Sequence, residues 1–169
     1  MILSNIMGGK INKSLYKQAV LYFIKYCNNQ YLGKTKLNKL LYYLDFISYR
    51  DFGSSATGDI YIHKDYGPVP ASVDNILAEL SLAEDIETSI TDYLDGETYN
   101  FKIVRENSLY EDAFSEEQKN LLRNICDEFS SWSTDKIVNQ THLEAPWFYS
   151  KPYEIVNFDY AKDIEFFIK

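Results

Sequence analysis

Apolar residues recur at helical spacing over the first third of the chain. Leu15, Ala19, Tyr22, Phe23 and Tyr26 mark one amphipathic helix. Leu37, Leu40, Leu41, Leu44 and Ile47 mark a second with a clean i, i+3, i+4, i+7 stripe. Thr35 stands where an N-cap would accept from a first-turn amide, and Gly53 stands where the second helix should stop. With only a short break around Gly33, the two helices are expected to pair antiparallel over one core.

The pattern then changes to alternation. Ile60 and Ile62 point one way and Asp59, Tyr61 and His63 the other, which predicts a short strand. Tyr66-Gly67-Pro68-Val69-Pro70 follows as a turn; each proline pushes its predecessor, Gly67 or Val69, toward extended dihedrals. Pro70 suits the first turn of a third helix, whose buried stripe is Val73, Ile76, Leu77 and Leu80. Residues 86–104 read as a β-hairpin: Ile86, Thr88 and Ile90 alternate, Asp95-Gly96 is a turn signal, and Tyr99, Phe101 and Ile103 alternate again. Ser115 and Gln118 form a capping box for a helix through Leu121, Leu122, Ile125, Cys126 and Phe129. Ser133 or Thr134 caps a further short helix that Pro146 should end, and the tail from Ile155 to Ile168 is readable as strand or helix. With no repeat or linker, the expectation is a single domain over 1–169. Its fold class is α+β, predominantly helical, with a short strand and a small antiparallel β-hairpin; residues 1–10 are expected to fray.

Charge and composition narrow the roles. Residues 1–50 carry +7 and the remainder −15. The acidic balance argues against nucleic acid as a partner, since phosphate neutralisation needs a basic face. The basic first third is expected to pack against the acidic remainder, and an acidic surface would steer a basic partner. Fifteen tyrosines and ten phenylalanines suit either a tyrosine-filled core or an aromatic binding surface. Cys27 and Cys126 lie in apolar helical patterns with no C-x-x-C neighbour, so buried free thiols in a reducing compartment are the economical reading. Ser4 and Asn5 break the opening apolar run before a signal peptide can form, and no run approaches the ~20 residues of a membrane span. A cytoplasmic protein without membrane contact is expected.

Candidate chemistry is sparse. The only histidines, His63 and His142, fall in no metal spacing, and there is no nucleophile elbow, phosphate loop or dinucleotide fingerprint. Neither a catalytic site, a metal nor a cofactor is expected. Asp45, the only acid before Asp51 on the Leu-rich helix, sits near the edge of the buried stripe and needs a partner such as Lys39, Arg50 or a tyrosine hydroxyl; otherwise it is a polar point in a binding groove. Trp147, just beyond Pro146, either locks a helix to the core or anchors a partner.

Three segments taken together resemble a known family: Lys36-Leu37-Asn38-Lys39-Leu40-Leu41-Tyr42-Tyr43, Tyr66-Gly67-Pro68-Val69, and Thr141-His142 followed by Pro146-Trp147. Their order and spacing are similar to the Panacea, or SocA-like, antitoxin domain, which also occurs in phage-associated proteins, over roughly residues 15–150. The resemblance implies a mostly helical domain that neutralises a toxin encoded beside it by direct contact, as one half of a toxin–antitoxin pair. It also implies that a protease or chaperone could be a further partner, since one branch is similar to proteolytic adaptors. It carries over no catalytic residue. Lys39, Tyr42, Tyr43, Asp45, Asp65, Tyr66, Gly67, Pro68, Thr141, His142, Pro146 and Trp147 are therefore partner-binding or structural candidates. The rival readings are a proteolytic adaptor, an enzyme that brings Asp45, Asp65 and both histidines into one pocket, and a nucleic-acid-binding regulator.

Overall fold

The computed structural model describes residues 9–27, 32–93 and 96–168. In chain order these form α1 (Lys13–Tyr26), α2 (Lys34–Phe52), β1 (Tyr61–Lys64), β2 (Gly67–Pro70), α3 (Val73–Leu82), β3 (Ile86–Tyr93), β4 (Gly96–Ile103), α4 (Glu116–Phe129), α5 (Thr134–His142) and the short α6 (Ala145–Phe148). A 3-10 turn spans Phe158–Asp163 near the end. The fold is a predominantly helical α+β arrangement with two small antiparallel strand pairs, as the sequence pattern predicts.

The second helix is the axis of the molecule. Every residue from Lys36 to Ser48 is buried, not only the leucine stripe. The expected amphipathic helix is thus enclosed on all sides: α1, α4, α5, the β1–β2 hairpin and the Phe158–Asp163 turn all pack on α2. An enclosed helix normally has apolar residues all round. This one instead carries Lys36, Lys39, Asp45, Tyr42 and Tyr43 into the interior, and each of them must find a partner there. The burial divides the tyrosines: Tyr16, Tyr42, Tyr43 and Tyr61 are fully enclosed, while Tyr66, Tyr110, Tyr149 and Tyr153 are exposed. The tyrosine content therefore fills the core at some positions and reaches the surface at others.

The local signals behave as their chemistry dictates. Ser115 and Gln118 make the reciprocal capping box of α4, and the Ser133 side chain caps α5. Gly53 ends α2 in the left-handed conformation, where a Cβ is unfavourable. Strands β3 and β4 pair as the expected hairpin, with Gly96 already paired to Tyr93 inside the ladder; Asp95 of the turn signal lies outside the described residues, as do residues 1–8 of the segment expected to fray.

Four expectations are corrected. Thr35 is not the cap of α2: the helix begins at Lys34, with Gly33 as N-cap and no side-chain cap bond. Pro70 does not open a helix; the whole Gly67–Pro70 segment is strand β2, paired with β1, and α3 starts only after Ser72. The ladder with β1 and the bond from the Ala71 amide to the Ile60 carbonyl hold that stretch extended. Helix α5 ends at His142, before Pro146, which opens the next helical turn instead. Finally, Cys27 and Cys126 are not free thiols but a disulfide joining the end of α1 to α4, with Cα atoms 5.5 Å apart and 99 residues between them in sequence. Two lone cysteines on separate helix patterns give no sign of such a pairing; only the packing of α1 against α4 creates it. The bond removes the free-thiol argument for a reducing compartment.

The tail resolves into both alternatives in turn. Ile155 bridges to Ile62 as an added edge on β1, after which Phe158–Asp163 coils into the 3-10 turn. The basic first third is compensated as expected: Lys13 and Lys17 pair with Glu79, Lys34 with Asp74 and Arg50 with Asp51, while Lys36 and Lys39 are buried. Among the described residues no helix is long and apolar enough to cross a membrane.

Candidate functional site

The three sequence segments meet around the β1–β2 hairpin. From α2, the buried Lys39 ammonium donates to the Pro68 carbonyl at 2.7 Å. Gly67 adopts φ +100°, and a Cβ there would lie 2.5 Å from Thr141 Oγ1 and 2.9 Å from Lys39 Cε. The hairpin backbone therefore passes between Lys39 and Thr141 with room only for glycine. Thr141 itself donates to the Val138 carbonyl at 2.7 Å, which fixes its hydroxyl toward α5. Burial lowers the Lys39 ammonium from 10.5 to about 7.

Trp147 is the second joint. Its ring is stacked between His142, at 4.0 Å, and His63, at 4.3 Å, and its Nε1 donates to the Lys64 carbonyl at 3.0 Å. His63 Nδ1 is 2.7 Å from Ser150 Oγ. Of the two alternatives for Trp147, locking the end of α5 to the hairpin is therefore what its contacts accomplish. Burial lowers the pKa of both histidines, and for His142 the charges of Lys39 and His63 act in the same direction. His142 Nε2 is buried without a hydrogen-bond partner among the described residues. Pro146 is buried in the first turn of α6.

Two buried carboxylates complete the interior. Asp45 accepts from the Thr57 amide at 2.7 Å, Thr57 Oγ1 at 2.5 Å and Tyr61 OH at 2.6 Å. Of the partners foreseen for it, the tyrosine hydroxyl is realised. Burial raises its pKa from 3.8 to about 6 against the pull of those hydrogen bonds. Glu144, at the N-cap of α6, accepts from Tyr42 OH at 3.1 Å, from Tyr43 OH at 3.1 Å and from Gln140 Nε2 at 3.4 Å. Burial raises it from 4.5 to about 7. The Tyr42-Tyr43 pair of α2 is thus the lid on a carboxylate contributed from 101 residues further along.

The structure brings Lys39, Gly67, Pro68 and Thr141 together, and His142 and Trp147 beside them. Tyr66 lies exposed at the hairpin tip next to Asp65, and Asp45 belongs to a separate cluster with Thr57 and Tyr61. The enzyme arrangement that sequence suggested is therefore divided: the two histidines flank Trp147, while Asp45 is committed elsewhere. Among the described residues no group of three or more His, Cys, Asp or Glu could hold a metal ion.

Sequence reasoning missed Glu144 as a site residue. A signal was present, because Gln140 and Glu144 are spaced i, i+4 around the Thr-His pair, but its tyrosine partners could not be inferred. It also missed Asp59, which accepts from Tyr16 OH and the Ser72 amide, each at 2.8 Å, and so ties α1 to the start of α3. Glu144 further lines an open groove of about 920 Å³ with Gln140, Leu143, Ala145, Phe148, Tyr149, Asp163, Glu165 and Phe166.

Apart from Lys36, the same three segments fall within a match to a family model: the family described as antitoxin SocA-like, Panacea domain, aligns with residues 37–148. The chain belongs to the SocA-like Panacea antitoxin domain family. The matched span is narrower than the 15–150 suggested by the motifs: it begins on α2 at Leu37 and ends at the last residue of α6. Comparison with curated proteins and with solved structures gave no match. Within the Panacea span, Lys39, Gly67, Thr141 and Trp147 are the residues whose contacts bind the three motifs into one unit. The family is antitoxin-like, which points to a toxin as partner and to a non-enzymatic role in general terms.

Proposed function

We propose that this protein neutralises a toxin encoded beside it by direct protein–protein contact, as the antitoxin of a bacterial or phage pair. The observation that carries the reading is the Panacea match over residues 37–148, whose motif side chains are joined by the contacts of Lys39, Gly67, Thr141 and Trp147. Lys39, Thr141 and Trp147 direct their polar atoms at backbone carbonyls inside the unit, those of Pro68, Val138 and Lys64, which is the chemistry of a scaffold. Large apolar side chains remain available at the surface for a partner, among them Tyr66, Leu143, Phe148, Tyr149 and Tyr153. Aromatic anchors of this kind dominate binding at protein interfaces.

The test is co-expression. The product of the adjacent open reading frame, expressed alone, should arrest growth; with this protein it should not, and the two should co-purify. A harmless neighbour, or a toxic one that neither binds nor is relieved, removes the reading.

A further inference from the structure

The groove beside Glu144 has a chemistry of its own. Leu143, Phe148 and Tyr149 stand at its edge with 78%, 63% and 64% of their surfaces exposed, which is unusual for three large side chains within seven residues. The two aromatic rings are held in place. Phe148 and Tyr149 contact edge to face at 5.2 Å, and Tyr149 stacks on Tyr160 at 5.5 Å, so the platform is pre-organised. The lining is also acidic: Asp163 and Glu165 are exposed, and neither has an ion-pair partner among the described residues. Among the described residues no lysine or arginine lines the groove. Its volume of about 920 Å³ is far more than a single side chain fills.

We propose that this groove seats a segment of a partner protein that presents apolar side chains flanked by lysine or arginine. The apolar face would rest on Leu143, Phe148 and Tyr149, while the basic residues face Asp163 and Glu165. A basic segment is favoured over an acidic one because the charged side chains that line the groove among the described residues are all acidic, and like charges brought together there would oppose binding. The partner's identity rests on the toxin-binding reading above; the chemistry of the seat does not.

Two probes separate these. The first is a synthetic amphipathic helical peptide with leucines on one face and lysines on the other, compared with its glutamate counterpart. The second is the product of the adjacent open reading frame. Each is titrated against the wild-type chain, the double variant Leu143→Ser/Phe148→Ser, the charge reversal Asp163→Lys/Glu165→Lys, and a control reversal, Asp127→Lys/Glu128→Lys, on the exposed face of α4. Circular dichroism confirms that each variant folds.

The lysine peptide should bind the wild type about tenfold or more tightly than the glutamate peptide, weakening with salt. Both groove variants should lose about tenfold, and the control reversal less than about twofold. Equal loss in groove and control reversals, equal binding of both peptides, no binding of the lysine peptide, or self-association of the protein through Leu143 and Phe148 overturns the seat. A neighbour that binds the wild type and both groove variants alike also overturns it, and leaves the toxin-binding reading standing. A neighbour that fails to bind removes the toxin-binding reading, and the peptide series then decides the seat by itself.

Discussion

Lys39 reaches from the enclosed second helix to the Pro68 carbonyl, and directly beside that bond Gly67 lies against the same side chain. One lysine thus determines how closely the hairpin approaches the core. Gly67→Ala should be severely destabilising, for two reasons that act together. An L-residue is strained at φ +100°, and its Cβ would meet Thr141 and the Lys39 stem. We expect a loss of about 2–4 kcal/mol in urea unfolding. A variant within about 0.5 kcal/mol of wild type would show that the hairpin can retreat at no cost.

Burial of Glu144 gives stability a particular dependence on pH. Its folded pKa, about 7, lies above its ordinary 4.5, so the folded state holds the extra proton. Stability from this group is therefore full below about 4.5 and declines as pH rises to about 7. Glu144→Gln removes the titration while keeping the shape. Its stability relative to wild type should rise by about 1–3 kcal/mol between those limits and be flat above them. The comparison with wild type cancels the two histidines, whose lowered pKa values act in the opposite sense. A difference that does not vary with pH would mean that Glu144 is ionised normally inside the fold.

Lys39 has the converse sign. Its pKa is lowered in the folded state, to about 7 from 10.5, so the unfolded chain binds more protons between those values. Wild type should therefore gain stability relative to Lys39→Met as pH rises from about 7 toward 10, before the unfolded tyrosines begin to titrate. Thermal melts of both proteins across that range decide it, and a relative stability that falls with pH would contradict the burial of the ammonium.

The Cys27–Cys126 bond closes a loop with a sequence separation of 99 residues. A cross-link of that span restricts the unfolded chain strongly, by about 4–5 kcal/mol in the chain-entropy description, and about 2–5 is the usual loss when a native bond is removed. Thiol titration of the denatured, unreduced protein should find no free thiol, and reduction should lower the unfolding midpoint. Cys27→Ser/Cys126→Ser should match the reduced protein. Two titratable thiols without reductant would mean that α1 and α4 are held by packing alone.

What could be read from sequence was the chemistry that acts over a few residues. The Ser115–Gln118 box, the Ser133 cap, the Gly53 stop and the β3–β4 hairpin each have their partners within a short stretch of chain. Asn12, which caps α1, carried the same kind of signal and could have been found. The site was different. Lys39, Gly67, Thr141 and Trp147 could be picked out by type and order, but the bonds among them could not. Tyr43 meets Glu144 across 101 residues, and Cys27 meets Cys126 across 99. A leucine stripe reports one buried face of a helix; it says nothing of a polar face that is buried because other segments bring it partners.

Arg50 shows what those long-range partners hold in place. Its Nη1 donates to the carbonyls of Ile164 and Phe166, each at 2.7 Å, and Nη2 donates to Phe167 O at 3.3 Å. The last turn of α2 thereby clasps the end of the chain, and Phe166 is held against Tyr43, at 5.5 Å, and Phe129, at 5.0 Å. Arg50→Met keeps the length of the stem but removes the fork, leaving three carbonyls to find water and the aromatic contact without its clamp. We expect a loss of about 1–3 kcal/mol, with amide exchange rising first in residues 164–168 and in the part of α4 around Phe129. Because Glu165 and Phe166 line the groove beside Glu144, the same variant should loosen that edge while leaving the Trp147 stack intact. Hydrogen exchange resolved by segment separates the two regions. Equal acceleration at His142 and Trp147 would show that the tail and the hairpin open as one unit, and that Arg50 supports the whole fold rather than one wall of the groove.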